Sequence, residues 1–452
     1  MIVKEIASRN DTVIEKFLEE YSINNKPIEV SFRNLLPELK KTERYTHLIH
    51  SYPAKLLLHI PYFFLNNSHF SKPNDLVLDP FSGTGTVLLE SIIANRRAVG
   101  ADANPLARLI SEVKISSISS ELLEINLKQI LISVKRIKIF ETPEIINCNY
   151  WFSESTIIQL SKLLKVINNL KDEKVKNFML VAFSNCVKKV SYADQRVSVP
   201  VKLNPKRFEK NSEINKKIIS RLKLLKTIDV IDKFSTICTE NIKRNKELES
   251  ANVTKMAKII SADARKLSSS LDSKSSIKKE SVQLVITSPP YAGAQKYIRA
   301  SSLNLGWTNL ATIKDLLLLD KKNIGRENYK KSDINIIPTG INAADILIND
   351  IKAINPLRAN IICQYILEMQ KAFLEVKRVL KNNGYFVLIV GNNMVCNKEF
   401  NTQEYFTEYL KSIGLELQFK LIDDIKSYGL MTKRNKTADI ISREWILVFK
   451  KN

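Results

Sequence analysis

Residues Asp75 to Thr86 limit the fold more than any other stretch of the chain. Asp75–Asp79 is a short apolar run bounded by carboxylates, the pattern of a buried strand, and it ends in Asp79-Pro80-Phe81-Ser82-Gly83-Thr84-Gly85-Thr86. From Thr86 to Asn95 the apolar spacing turns helical. Arg97–Asp102 then reads as a second strand, and Asn104-Pro105 opens another helix. A strand, glycine loop, helix and strand in that order cross over right-handed to a parallel neighbour. The chain is therefore expected to be α/β, built on a Rossmann-like, mostly parallel sheet.

The loop has a chemistry of its own. Glycines at 83 and 85 let backbone approach a ligand closely, because no Cβ intervenes. The helix start at Thr86 offers unpaired N–H groups to a carboxylate. Asp79 is placed to face a cationic amino group, and Asp102, at the next strand tip, can accept from both hydroxyls of a ribose. Asp263, after a third strand at Ala257–Ala262 and next to Ala264, is placed to bond an adenine amine. A nicotinamide dinucleotide fold is the rival, and a ligand-free turn is the plain alternative. The dinucleotide fingerprint needs a third glycine where Leu88 stands, and Pro80 and Phe81 crowd the turn. The loop fits S-adenosylmethionine better.

A second loop lies about two hundred residues on. The buried-type strand Val282–Ile286 runs into Thr287-Ser288-Pro289-Pro290-Tyr291. An exocyclic amine on a nucleobase is a poor nucleophile, since its lone pair is delocalised into the ring. Acceptors for both amine hydrogens draw the nitrogen toward tetrahedral geometry. Ser288 Oγ and the Pro289 carbonyl suit that task, and neither Pro289 nor Pro290 has an N–H to compete. Tyr291 is placed to stack on the ring, and a base in a duplex must swing out to reach such a pocket. A simple turn is the commoner meaning of Pro-Pro. The preceding strand and the upstream glycine loop favour the amine site here.

Lys and Arg outnumber Asp and Glu by 70 to 47, a net charge of +23 in 452 residues. A solubilising surface is one reading, and a polyanionic partner the other. The five cysteines are scattered without paired spacing, and the four histidines are too few and too poorly placed for a metal site, so no metal is expected. The amino end lacks a signal-peptide apolar core, and the most apolar stretch, Leu56–Leu65, is too short to span a bilayer. A cytoplasmic protein with no membrane partner is expected.

With these residues in place, the chain resembles the amino-group DNA methyltransferases, which make N4-methylcytosine or N6-methyladenine. His50-x-Tyr52-Pro53-Ala54-Lys55 resembles the family's amino-terminal segment beside the cofactor, and Asp79–Gly85 its cofactor loop. Thr287–Tyr291 resembles its catalytic loop. Arg378–Gly384, Arg434-Asn435 and Glu444–Val448 resemble the end of its sheet, where a hairpin places one antiparallel strand. The resemblance implies a seven-stranded methyltransferase sheet, S-adenosylmethionine as cofactor and double-stranded DNA as substrate. It also implies a restriction-modification or defence setting beside a cognate restriction endonuclease. Serine at 288 leans toward cytosine N4, with adenine N6 the alternative. An RNA methyltransferase acting on guanine N2 of tRNA and an inactive DNA-binding scaffold are further alternatives.

The resemblance divides the chain into an extension (1–40), two parts of the catalytic domain (41–114 and 256–296), and its end (356–452). Between them lie a mostly helical insertion (115–255) and a second, irregular insertion (297–355), both candidate DNA-recognition regions, the second through Lys321-Lys322, Arg326 and Lys330-Lys331. The long insertion precedes Asp263, a departure from the family's usual order that leaves open which region reads sequence. Lys188, Lys189, Arg196 and Lys202 alternate with an aromatic and small polar side chains, which suits phosphate contact; a solvated linker explains them nearly as well. Arg299, just past the catalytic loop, is a further DNA-binding candidate, and Ala292–Arg299 either shapes a base pocket or forms a plain loop.

Overall fold

The structure, a computed structural model, describes residues 2–39, 44–53, 55–269, 271, 276–293, 297–424 and 442–452. Eight strands form one sheet in the order β1-β9-β10-β6-β5-β2-β3-β4. They are β1 (Ile28–Val30), β2 (Leu76–Asp79), β3 (Arg97–Ala101), β4 (Ala257–Ser261), β5 (Val282–Thr287), β6 (Leu380–Val390), β9 (Leu415–Asp424) and β10 (Arg443–Lys451). The strands β7 (Asn393–Val395) and β8 (Lys398–Phe400) make a separate hairpin. All pairings in the main sheet are parallel except those of β10, which runs antiparallel between β9 and β6. This is the Rossmann-like α/β sheet that the glycine loop demanded.

The strands read as continuous apolar runs because both faces are covered. In β6, Phe386, Leu388 and Val390 enter one core with the helix Pro356–Val379, while Val387 and Ile389 enter the other. That second core holds the helices Ile2–Asn24 and His59–Leu65. Leu284 and Ile286 of β5 face the same side as Val77, and Val285 faces Leu78.

The sheet has eight strands where seven were expected. The extra one, β1, is three residues long with only Ile28 buried, so it carries no alternation to read; its pairing to Leu421–Asp423 of β9 makes it a strand. Likewise β6 begins at Leu380 rather than Tyr385, because Leu380 pairs with Val282 across a stretch rich in turn formers.

Between 115 and 255 lie helices at Ser120–Arg136, Glu154–Asn168, Glu173–Val190, Glu213–Lys226 and Val230–Ser250. Most share a core of their own, which runs onto the helix Pro105–Lys114. Residues 297–355 are not the irregular region expected. They hold helices at Tyr297–Trp307, Ile313–Lys322 and Asn342–Ile354. The first packs Leu303, Leu305 and Trp307 into the helical core, whereas the last packs Ile348 and Ile351 on the sheet. The stretch is therefore shared between two cores.

Candidate active site

Parallel pairing sets the carboxyl ends of β5, β2, β3 and β4 side by side. At roughly 4.8 Å per strand step the row is about 14 Å long. Each end delivers one residue singled out above: Ser288, Asp79, Asp102 and Asp263. A cleft runs along the row, lined by Phe81, Gly83, Asp102, Asp263, Ser288 and Pro290 among others. Ligand sites in such sheets lie at this edge.

Asp79 joins the two loops. Its Oδ1 accepts from Thr287 Oγ1 at 2.6 Å and from the Phe81 N–H at 3.1 Å. Burial pushes its carboxyl up to about 7 despite those bonds, with the nearby Asp102 charge adding to the rise. Asp102 accepts from the N–H groups of Gly83 (2.9 Å) and Asn104 (2.8 Å), and burial lifts it to about 6. Two carboxylates at adjacent strand tips, Asp79 buried and Asp102 half-buried, thus titrate closer to neutrality than ordinary aspartates. They are a matched set for a ligand carrying positive charge and hydroxyl donors.

The turn between them is tightly built. Ser82 donates through N and Oγ to the Ala101 carbonyl. Gly85 sits at φ +76°, and a Cβ there would come within 2.2 Å of Ser111 Oγ. Lys114, fully buried, donates to Thr84 Oγ1 at 3.2 Å, and burial pulls its pKa well down. Thr86, also buried, begins the next helix. Below the turn, Glu90 binds Arg44 and accepts from His47 Nε2 at 2.6 Å, tying residues 44–50 to that helix.

Several expected residues do other work. Tyr52 lines the cleft, its hydroxyl accepting from Asn104 Nδ2 at 2.9 Å. Pro53 is half-buried, and Ala54 lies outside the described residues. Lys55 turns inward instead, donating to the carbonyls of His50 (2.7 Å) and His47 (3.4 Å); burial lowers it to about 8. Asp263 lines the cleft with Ala264, but both its oxygens engage Arg265, at 2.8 and 2.9 Å. An adenine amine would have to share that acceptor.

In the second loop Pro289 is buried while Ser288 and Pro290 face the cleft. The Tyr291 hydroxyl donates to Glu444 at 3.3 Å, and burial raises the Glu444 carboxyl. The Gly293 N–H donates to the Gly325 carbonyl at 3.0 Å, strapping Lys322-Asn323-Ile324 against the cleft, which they line with Tyr297. Ala294–Lys296 and Arg434-Asn435 lie outside the described residues.

Sequence reasoning passed over Asn104, Asn323 and Ile324 as site residues, and it offered Tyr297 only within a possible base-pocket segment and Lys322 only as a DNA contact. Asn104 read only as a helix opener. It caps through Oδ1 to Leu106 N while Nδ2 bridges Tyr52 and Ser301 Oγ. The other residues carry no local signal, since only distant packing brings them in.

The expected DNA-contacting residues are unevenly free. Lys188 Nζ donates to the carbonyls of Val197 and Ser198, so it closes its own loop. Lys189 is half-buried. Arg196 pairs with Asp194 and lies over Phe208. Lys202 sits 4.1 Å from the Tyr150 ring centre, and Arg299 is exposed. Among the described residues no cluster of three or more His, Cys, Asp or Glu could hold a metal, and no helix is long and apolar enough to cross a membrane.

A doubly wound sheet with a glycine turn, a buried and a half-buried tip carboxylate and a Ser-Pro-Pro-Tyr loop on the neighbouring strand defines a Rossmann-like methyltransferase. Comparison with known proteins narrows the class. Residues 4–112 match the N6/N4 methyltransferase family described as DNA methylase. The chain is 23% identical to the Type II methyltransferase M.MvaI of Kocuria varians, over 96% of its own length and 94% of that protein. A stretch of 101 residues is 33% identical to the Type II methyltransferase M.MjaII of Methanocaldococcus jannaschii, covering 22% of this chain and 18% of that one. Among solved structures, the rRNA methyltransferase aviRa of Streptomyces viridochromogenes covers 93% of this chain and 96% of its own at 9% identity, with a TM-score of 0.31, too low to bear on substrate. The chain is thus similar to amino-group DNA methyltransferases, over residues 4–112 to the family as such and along nearly its whole length to one of its Type II members.

Proposed function

We propose that the chain methylates the N4 amine of a cytosine flipped from a specific site in double-stranded DNA, as the modification half of a restriction-modification pair. The observation that carries the choice of base is serine at 288, at the end of β5 beside the Asp79 loop. The setting rests on similarity to one Type II methyltransferase along nearly the whole chain.

The residues present fit the cofactor. Asp79 would hold the amino end, the Thr86 helix start the carboxylate, and Asp102 the ribose, with Phe81 and Ala264 beside the adenine. S-adenosylmethionine supplies the methyl group. The chain's own part is positioning. Ser288 Oγ and the Pro289 carbonyl accept the amine hydrogens, the two prolines keep those acceptors fixed, and Tyr291, held by Glu444, packs against the base.

Digesting methylated duplex DNA to nucleosides and weighing the product tests the reading. N4-methylcytosine is expected. N6-methyladenine would overturn the choice of base alone, and methylated tRNA with unmodified DNA would overturn the substrate.

The raised carboxylates make a further prediction. A cationic ligand and its hydroxyls favour ionised Asp79 and Asp102, whose protons must leave first at low pH. Cofactor affinity should therefore weaken as pH falls through about 7 and then about 6, and level off above about 7.5. Calorimetry in two buffers should register proton release near pH 6, and Asp79→Asn should erase the upper part of the dependence. Affinity that stays flat from pH 5.5 to 8 would separate these carboxylates from the cofactor.

A further inference from the structure

The most concentrated charge on the molecule lies within the helical insertion, outside the 188–202 stretch already described. Residues 204–226 carry eight Lys and Arg against two Glu, a net +6 of the chain's +23 in 23 of its 452 residues. They form a short turn at Pro205–Arg207 and the helix Glu213–Lys226. Leu203, Ile218 and Leu225 give the segment a small core of its own, closed by Tyr192 and Phe208. Asn215 locks turn to helix, donating to the Pro205 carbonyl at 2.8 Å.

That inner stripe fixes what faces out. Ile218, Leu222 and Leu225 recur at helical spacing on the packed side, so Lys216 and Lys223, seven residues apart, share the opposite face. Lys206, Arg207, Lys216 and Lys223 are exposed. None has a carboxylate partner among the described residues; within the segment only Lys217 does, with Glu213. A solubilising surface intersperses both signs evenly, whereas this one sets eight cations against two anions.

The lobe is also continuous with the cleft. Tyr297 lines the cleft, and Arg299, two residues on, lines a neighbouring groove with Trp151 and Pro200. Two residues past Pro200, Lys202 lies between the rings of Tyr150 and Tyr192, and Tyr192 belongs to the lobe's core. A duplex gripped at the lobe thus has a path across the groove to Ser288.

We propose that the 204–226 lobe grips the phosphate backbone of duplex DNA, with Lys206, Arg207, Lys216 and Lys223 as its contacts. This rests on the DNA methyltransferase reading. Each phosphate neutralised releases counterions, contributing about 0.9 to the slope of log affinity against log salt. The test compares wild type with a Lys206→Gln, Arg207→Gln, Lys216→Gln, Lys223→Gln variant. A control removes equal charge from exposed Lys16, Lys26, Lys72 and Lys411. Duplex binding is measured from 50 to 200 mM salt, with S-adenosylmethionine titration reporting an intact fold.

The lobe variant should lose about 3 to 4 units of slope and the control less than about 1, both binding cofactor as wild type does. A slope kept by the lobe variant, or lost equally by the control, overturns the lobe. A variant that no longer binds cofactor is replaced by the two pairs, Lys206/Arg207 and Lys216/Lys223, each expected to lose about 2 units. Wild type that binds cofactor but no duplex would instead overturn the DNA reading itself.

Discussion

Replacing Ser288 by alanine is expected to lower kcat on duplex DNA by two to three orders of magnitude, while S-adenosylmethionine affinity stays within about twofold. The magnitude is that of losing one preorganised polar partner in a closed site. The structure makes the loss hard to repair. Pro289 is buried and the two prolines fix their own φ, so the loop cannot rotate to offer another acceptor, and Thr287 Oγ1 is already committed to Asp79 at 2.6 Å. Single-turnover methyl transfer separates this from weaker DNA binding. Ser288→Asn, which keeps an acceptor, should recover part of the rate. Full activity in the alanine variant would remove Ser288 from the amine site. A parallel fall in cofactor affinity would put it in the cofactor subsite instead.

How far the sequence could be read depended on range. The Asp79 and Ser288 loops were legible because strand, loop and helix each leave a local mark, and parallel pairing of β2 with β5 then makes them neighbours. Asp102 was legible for the same reason. Lys55 misled, since its place in a motif does not reveal that its ammonium turns back onto the carbonyls of its own segment. Asp263 was correctly placed at a strand tip, yet its pairing with Arg265 is a side-chain choice that no pattern encodes. The strap at 322–325 was invisible. It reaches the cleft through a backbone bond from Gly293 to Gly325 and through Arg265, which donates to the Lys322 carbonyl at 3.0 Å. The basic lobe lay inside the insertion expected to meet DNA, but only the fold separates its outward lysines from Lys188, Arg196 and Lys202, which are engaged within the protein.

The cofactor turn offers the second large effect. Gly85→Ala is expected to weaken S-adenosylmethionine binding by roughly one to two orders of magnitude, for two separable reasons. At φ +76° the left-handed backbone costs a non-glycine residue about 1–2 kcal/mol. The new methyl would also stand 2.2 Å from Ser111 Oγ and 3.1 Å from its Cβ. Ser111 lies on the buried face of the helix Pro105–Lys114, which Lys114 pins to Thr84, so the helix cannot yield and the loop must. Adding Ser111→Gly removes both of those side-chain contacts and leaves the backbone cost, at the expense of about 1 kcal/mol of helix stability. The double variant should therefore regain part of the affinity and still melt lower than wild type. If the defect came from backbone conformation alone, Ser111→Gly would restore nothing. If it came from the clash alone, binding would return fully. Cofactor titration on the three variants distinguishes these outcomes, and the expected intermediate value would show that this turn needs glycine both for its φ and for the space that Ser111 denies a side chain.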